Sequence, residues 1–186
     1  CRLIHVRNRG YIFQDEGFSA LKALQSLEHV YIDEIPVDYF PRAIRVIAHP
    51  SATIHIKAFS VVPDKFSVLP IAEEDVSGLA GFMHEHEHSF DWPGTLVLIS
   101  SPLFAGWLQA LHKLNEVFGL AGRQGITRLC IDHKILRDFK YEDVQLLSAA
   151  APHVCELEVP NPVCDLKPVT LKWMLEAWSV KVLTLS

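Results

Sequence analysis

His84-Glu85-His86-Glu87-His88 is the densest group of metal-binding side chains in this 186-residue sequence. In an extended strand, residues two apart share a face, so these three imidazoles would converge on one Zn²⁺ or Ni²⁺ ion. Asp91 is near enough in sequence to add an oxygen ligand. The group lies within residues 61–92, a stretch rich in proline, acidic residues and histidine. A polar loop insertion without a resident metal is the ordinary expectation there, and no cofactor is assigned. Covalent and phosphate chemistry have less to stand on, since there is no G-x-S-x-G, no P-loop and no G-x-G-x-x-G after a strand. Gly119, Gly122 and Gly125 follow a helical pattern and mark its end rather than a phosphate cradle. Asp15/Glu16 and Glu73/Glu74/Asp75 read as solvated loop carboxylates. These residues assign no catalytic group, and the chain is expected not to be an enzyme.

Stronger order appears in the elements that must position such residues. An aliphatic-x-aliphatic triplet recurs as Ile4-His5-Val6, Val30-Tyr31-Ile32, Ile54-His55-Ile56, Leu96-Val97-Leu98, Leu129-Cys130-Ile131, Leu157-Glu158-Val159 and Leu183-Thr184-Leu185. Successive first members are 26, 24, 42, 33, 28 and 26 residues apart. Leu27, Ile126, Val154 and Val180 stand three positions earlier, as does Cys1 more loosely. The result is L-x-x-L-x-L, the strand signature of a leucine-rich repeat.

Helical periodicity fills the intervals. It predicts helices over 18–27, 37–48, 103–118, 141–151 and 169–178, with Leu103, Trp107, Leu108, Leu111, Leu114 and Phe118 forming the broadest apolar stripe. Strand–helix units with short crossovers force parallel strands. The expected fold is therefore an α/β leucine-rich-repeat-like solenoid over 1–186, with strands on a concave face and helices on the convex one. A doubly wound sheet would show longer aliphatic strands, buried on both faces.

Composition narrows the class. Hydrophobic residues make up 49%, enough for a continuous core, and the formal charge is −5. An acidic balance disfavours a general nucleic-acid binder, and no apolar run approaches the roughly 18 residues of a membrane span. Cysteines at 1, 130, 155 and 164 have no C-x-x-C spacing and fit reduced thiols of an intracellular protein, cytoplasmic or nuclear. The first residue is cysteine and the last ones fall inside an expected strand, so a fragment of a longer solenoid is expected. Its uncapped edges should tend to self-associate.

In this fold the middle residue of each triplet points to the concave face. That column is His5, Tyr31, His55, Val97, Cys130, Glu158 and Thr184, flanked by Arg7, Asp33, Lys57, Asp132 and His133, and by His29, Arg128 and Glu156. The expected partner-binding set is His5, Arg7, Tyr31, Asp33, His55, Lys57, Arg128, Asp132, Glu156 and Glu158. A protein with a basic patch could meet Glu156 and Glu158 while packing on Tyr31.

The phrases Ile126–Ile131, Leu147–Leu157 and Trp178–Leu185, together with Leu24–Ile32, resemble the repeat region of fungal F-box proteins. The resemblance covers most of the chain outside residues 61–92. It implies a substrate-binding repeat region of a ubiquitin-ligase receptor, with a cullin-ligase adaptor held by an F-box upstream of Cys1. Leu69-Pro70 is similar to an F-box opening, but too few residues follow it for a three-helix module. The alternatives are a metal-binding protein or metalloenzyme centred on His84, His86 and His88, and a repeat scaffold unrelated to ubiquitination.

Overall fold

The computed structural model describes residues 3–6, 23–37, 52–61, 73–87, 90–98, 105–160 and 167–185. Among these, seven strands lie side by side in the order in which the chain makes them. They are β1 (Leu3–Val6), β2 (His29–Pro36), β3 (Thr53–Val61), β5 (Thr95–Leu98), β6 (Arg128–Ile131), β7 (Glu156–Val159) and β8 (Val182–Leu185). A two-residue strand, β4 (Phe90–Asp91), also pairs with β3. Every pairing is parallel. The order never reverses, as it would in a doubly wound sheet, and among the described residues no pairing closes β8 onto β1.

The helices are α1 (Glu73–Glu85), α2 (Ala105–Leu120), α3 (His133–Asp138), α4 (Tyr141–Ala150) and α5 (Pro168–Ala177). Three of them match the periodicity to within two residues. The expected helix over 37–48 lies outside the described residues, apart from Val37. So does the start of the one over 18–27, whose described end is a turn that buries Leu27.

Alternation explains why one face of the sheet is covered. On β5, β6 and β7 the pairs Leu96/Leu98, Leu129/Ile131 and Leu157/Val159 are buried, while the residues between them are half-exposed. Leu111, Leu114, Val117 and Phe118 of α2, Val144 and Leu147 of α4, and Met174 of α5 belong to the same core. Each such side chain contributes roughly 1.5–3 kcal/mol through burial. Ile126 and Val154, three residues ahead of their triplets, are buried as well. The inward pair of β8, Leu183 and Leu185, is 40% and 50% exposed, and no described helix follows it.

On β2 and β3 the alternation slips at the same level. Val30 and Ile32 point inward, as do Ile54 and Ile56, but the next inward residues are Ile35 and Phe59, three positions on rather than two. Asp33 and Glu34 are consequently both half-exposed.

The stretch 61–92, expected as a loop insertion, contains α1 and β4. Val76, Leu79, Ala80 and Met83 are buried at i, i+3, i+4 and i+7, and α1 packs beside α2. Gly78, Gly81 and the acidic first turn mask this stripe in the sequence. None of the described helices is long and apolar enough to cross a membrane.

One polar side chain fastens the helical layer to the strand entries. Asn115 of α2 donates from Nδ2 to the Ala150 carbonyl at 2.6 Å, and its Oδ1 accepts from the Ile126 N–H at 2.7 Å. A β-carbon at Gly125 would overlap the Asn115 side chain, so only glycine permits this approach. Asn115→Ala should lower stability by about 1–3 kcal/mol, seen in urea unfolding as a lower midpoint at constant slope. Leu79→Ala should cost about 2–5 kcal/mol by the same measurement, because α1 is part of the core.

Candidate functional site

Side chains that point away from the helices form two groups, separated by a shift in strand pairing. His5 lies opposite Tyr31, Tyr31 opposite His55, and β4 extends this row by placing Asp91 opposite His55. β5 pairs with the far end of β3 instead, so that Val97 meets Ser60. From there the row runs through Cys130, Glu158 and Thr184. The single seven-residue column expected from the triplets is therefore two columns, displaced along β3 from His55 to Ser60. The displacement accompanies the short strand β4, which occupies the place beside His55.

The first group is aromatic and imidazole-rich. The Tyr31 ring stacks on His55 with centroids 4.4 Å apart and planes 9° from parallel, and His5 meets Tyr31 edge-on at 6.3 Å. His5 Nε2 and Asp33 Oδ1 are 3.0 Å apart. His55 uses both ring nitrogens: Nδ1 lies 3.0 Å from Asp91 Oδ2, and Nε2 lies 3.3 Å from His29 Nδ1. Imidazole–carboxylate pairs this exposed contribute under about 1 kcal/mol each to stability, so their value lies in orienting the rings.

The second group is charged. A depression of about 650 Å³ on this face is lined by Asp33, Glu34, Lys57, Arg128, Glu156 and Glu158, among others, with Val97 and Cys130 in its floor. The Arg128 guanidinium donates to Glu158 Oε2 at 2.6 Å and stands 4.0 Å from Glu156. That hydrogen bond holds the Arg128 pKa above its ordinary value. Glu156 and Glu158, expected as a carboxylate pair open to a basic partner, are thus bridged by an internal cation.

Several expected site residues have other positions or other duties. Asp132 caps α3, accepting from the Lys134 N–H at 2.8 Å, so its carboxylate holds a helix end. Lys57 is exposed at the groove, and Arg7 lies outside the described residues. Of the three histidines expected to converge, the described pair His84 and His86 does not share a face. His84 is in the last turn of α1 and His86 in the turn beyond, and residues two apart on a helix point to nearly opposite sides. His86 packs on Phe82 at 4.5 Å, Asp91 is engaged by His55, and His88 lies outside the described residues. The same five residues also have H-E-x-x-H spacing, which brings two imidazoles together on a continuous helix. The described helix α1 ends at Glu85, and the second histidine of that spacing is not among the described residues. No group of three or more His, Cys, Asp or Glu side chains among the described residues is arranged to hold a metal.

His29 is expected in a column flanking the open face and Asp91 beside the histidine-rich stretch, but neither expectation brings them to His55. They reach His55 from 26 and 36 residues away, and only strand register shows that they meet.

Burial pushes the Cys130 thiol up to about 11, with the Glu158 carboxylate adding to the shift and Arg128 opposing it. At neutral pH it is a thiol and not a nucleophile. Relative to the ordinary value of 9.0, the thiolate fraction at pH 8 falls by about 100-fold. Alkylation of Cys130 by iodoacetamide should slow correspondingly in the folded chain compared with the urea-unfolded one, as read by peptide mass spectrometry. Arg128→Ala should slow it further, since it removes the opposing cation.

No family model matches the chain, and no curated protein matches it. Among solved structures, it is similar to the crystal structure of 3-keto-D-glucoside 4-epimerase, YcjR, from E. coli, in its apo form. The match covers 99% of this chain and 91% of that one, at 10% identity and a TM-score of 0.30. Against the expectation that this chain is not an enzyme stands this neighbour, an epimerase by its printed title. At that TM-score the likeness transfers neither a reaction nor a substrate to the residues described above.

Proposed function

We propose that this chain is a leucine-rich-repeat-like solenoid whose open sheet face recognises a protein partner. One observation carries the reading: a parallel sheet in strict chain order is apolar toward its helices and presents aromatic and charged side chains on the other side. Stacked strand–helix units build broad recognition surfaces of this kind. Tyr31, 38% exposed and braced by His55, is the rigid anchor of the surface. Asp33, Glu34, Glu156 and Glu158 outnumber Lys57 and Arg128 around the groove, which favours a partner segment carrying a cationic side chain.

The repeat resemblance supplies the context: substrate recognition for an F-box type ubiquitin ligase, with the adaptor bound by an F-box upstream of Cys1. Affinity capture with the full-length chain tests both levels. Tyr31→Ala together with Glu156→Lys should release the protein captured by the parent chain while leaving thermal stability unchanged. Capture that survives both substitutions would remove the open face as the recognition surface. Captured complexes without any cullin adaptor would sink the ligase context alone.

A further inference from the structure

We propose that His29 and His55 form a two-imidazole site for a divalent transition-metal ion, Zn²⁺ foremost, with Asp91 as the group that orients His55. The inference is independent of the protein-recognition reading.

Geometry is the first support. His29 Nδ1 and His55 Nε2 are 3.3 Å apart. Two nitrogens bound to one tetrahedral Zn²⁺, each at about 2.0–2.1 Å, are separated by about 3.3–3.4 Å. The spacing fits both the hydrogen bond the two rings now share and an ion held between them, toward which each ring turns slightly.

Tautomer and orientation are the second. A carboxylate only accepts hydrogen bonds, so the 3.0 Å contact with Asp91 Oδ2 puts the proton of neutral His55 on Nδ1. Nε2, the nitrogen facing His29, then carries the lone pair. A carboxylate behind a ligating imidazole is the usual device for fixing the tautomer and raising the basicity of a metal-bound histidine. The stacked Tyr31 ring holds the His55 plane. His29 now donates its Nδ1–H to His55 Nε2. On metal binding this proton moves through solvent to His29 Nε2, so both imidazoles stay neutral and no net proton is released.

Access is the third. His29 is exposed, His55 is half-buried, and Asp91 is 68% exposed, so an ion reaches the pair from solvent. Two protein nitrogens leave two tetrahedral positions for water or for a donor atom of a bound molecule. Imidazole donors suit Zn²⁺, Cu²⁺ and Ni²⁺ and disfavour Mg²⁺ and Ca²⁺.

Calorimetric titration of the intact chain with zinc chloride tests the site. One equivalent should bind, His29→Ala and His55→Ala should each abolish that event, and Asp91→Asn should weaken it about 10–100-fold. The combined variant His84→Ala, His86→Ala, His88→Ala should bind as the parent chain does. So that the outcome does not rest on how any variant folds, ¹⁵N-resolved imidazole spectra of the parent chain are followed through the same titration. The His29 Nδ1 and His55 Nε2 resonances should move together. Absence of zinc binding, unchanged binding in His29→Ala and His55→Ala, or zinc-dependent shifts confined to His84, His86 and His88 would each overturn the proposal.

Discussion

Everything in this molecule depends on one constraint: each short parallel strand has a single apolar face, and a helix must cover it. Four-residue strands such as β6 and β7 bury only two aliphatic side chains apiece, too little to stand alone. They persist because the next strand continues the same layer and a helix such as α4 closes it. At β8, which no described helix follows, the same two positions are exposed. The opposite face is then left mostly to polar, aromatic and ionisable residues, with Val97 of β5 among them, and all candidate chemistry lies there.

Two devices convert this layer into a defined site. Asn115 satisfies backbone groups at the end of α4 and at the entry to β6, fixing how the helices sit over the strands. β4 is inserted early beside β3, and β5 pairs farther along. This shift divides the open face into an imidazole-and-tyrosine region and a charged groove. Asp91 falls beside His55 for that reason, although its sequence neighbours suggested a role in a histidine-rich loop.

Charge on the open face is largely internally matched. Arg128 is spent between Glu158 and Glu156, His5 on Asp33, and His55 on Asp91. On the proposed reading, what these contacts leave for a partner is the exposed Tyr31 ring, Lys57, and the carboxylates that outnumber the cations around the groove. The His29–His55 pair and the groove around Cys130 are thus separate opportunities on one surface, one for coordination and one for charge complementarity.

The sequence by itself determined seven of the eight described strands, their parallel direction and the buried pairs of β2, β3, β5, β6 and β7. It could do so because period-two alternation and apolar residues three positions earlier are local signals. It also located α2, α4 and α5, whose apolar stripes are wide. It missed α1 as a core helix, since two glycines and an acidic first turn dilute a stripe of only Val76, Leu79, Ala80 and Met83. Tertiary structure alone decided the site. His29, His55 and Asp91 come from three strands, and their meeting depends on which end of β3 each neighbour pairs with. Register is set by the packing of whole layers, and no spacing within the chain encodes it.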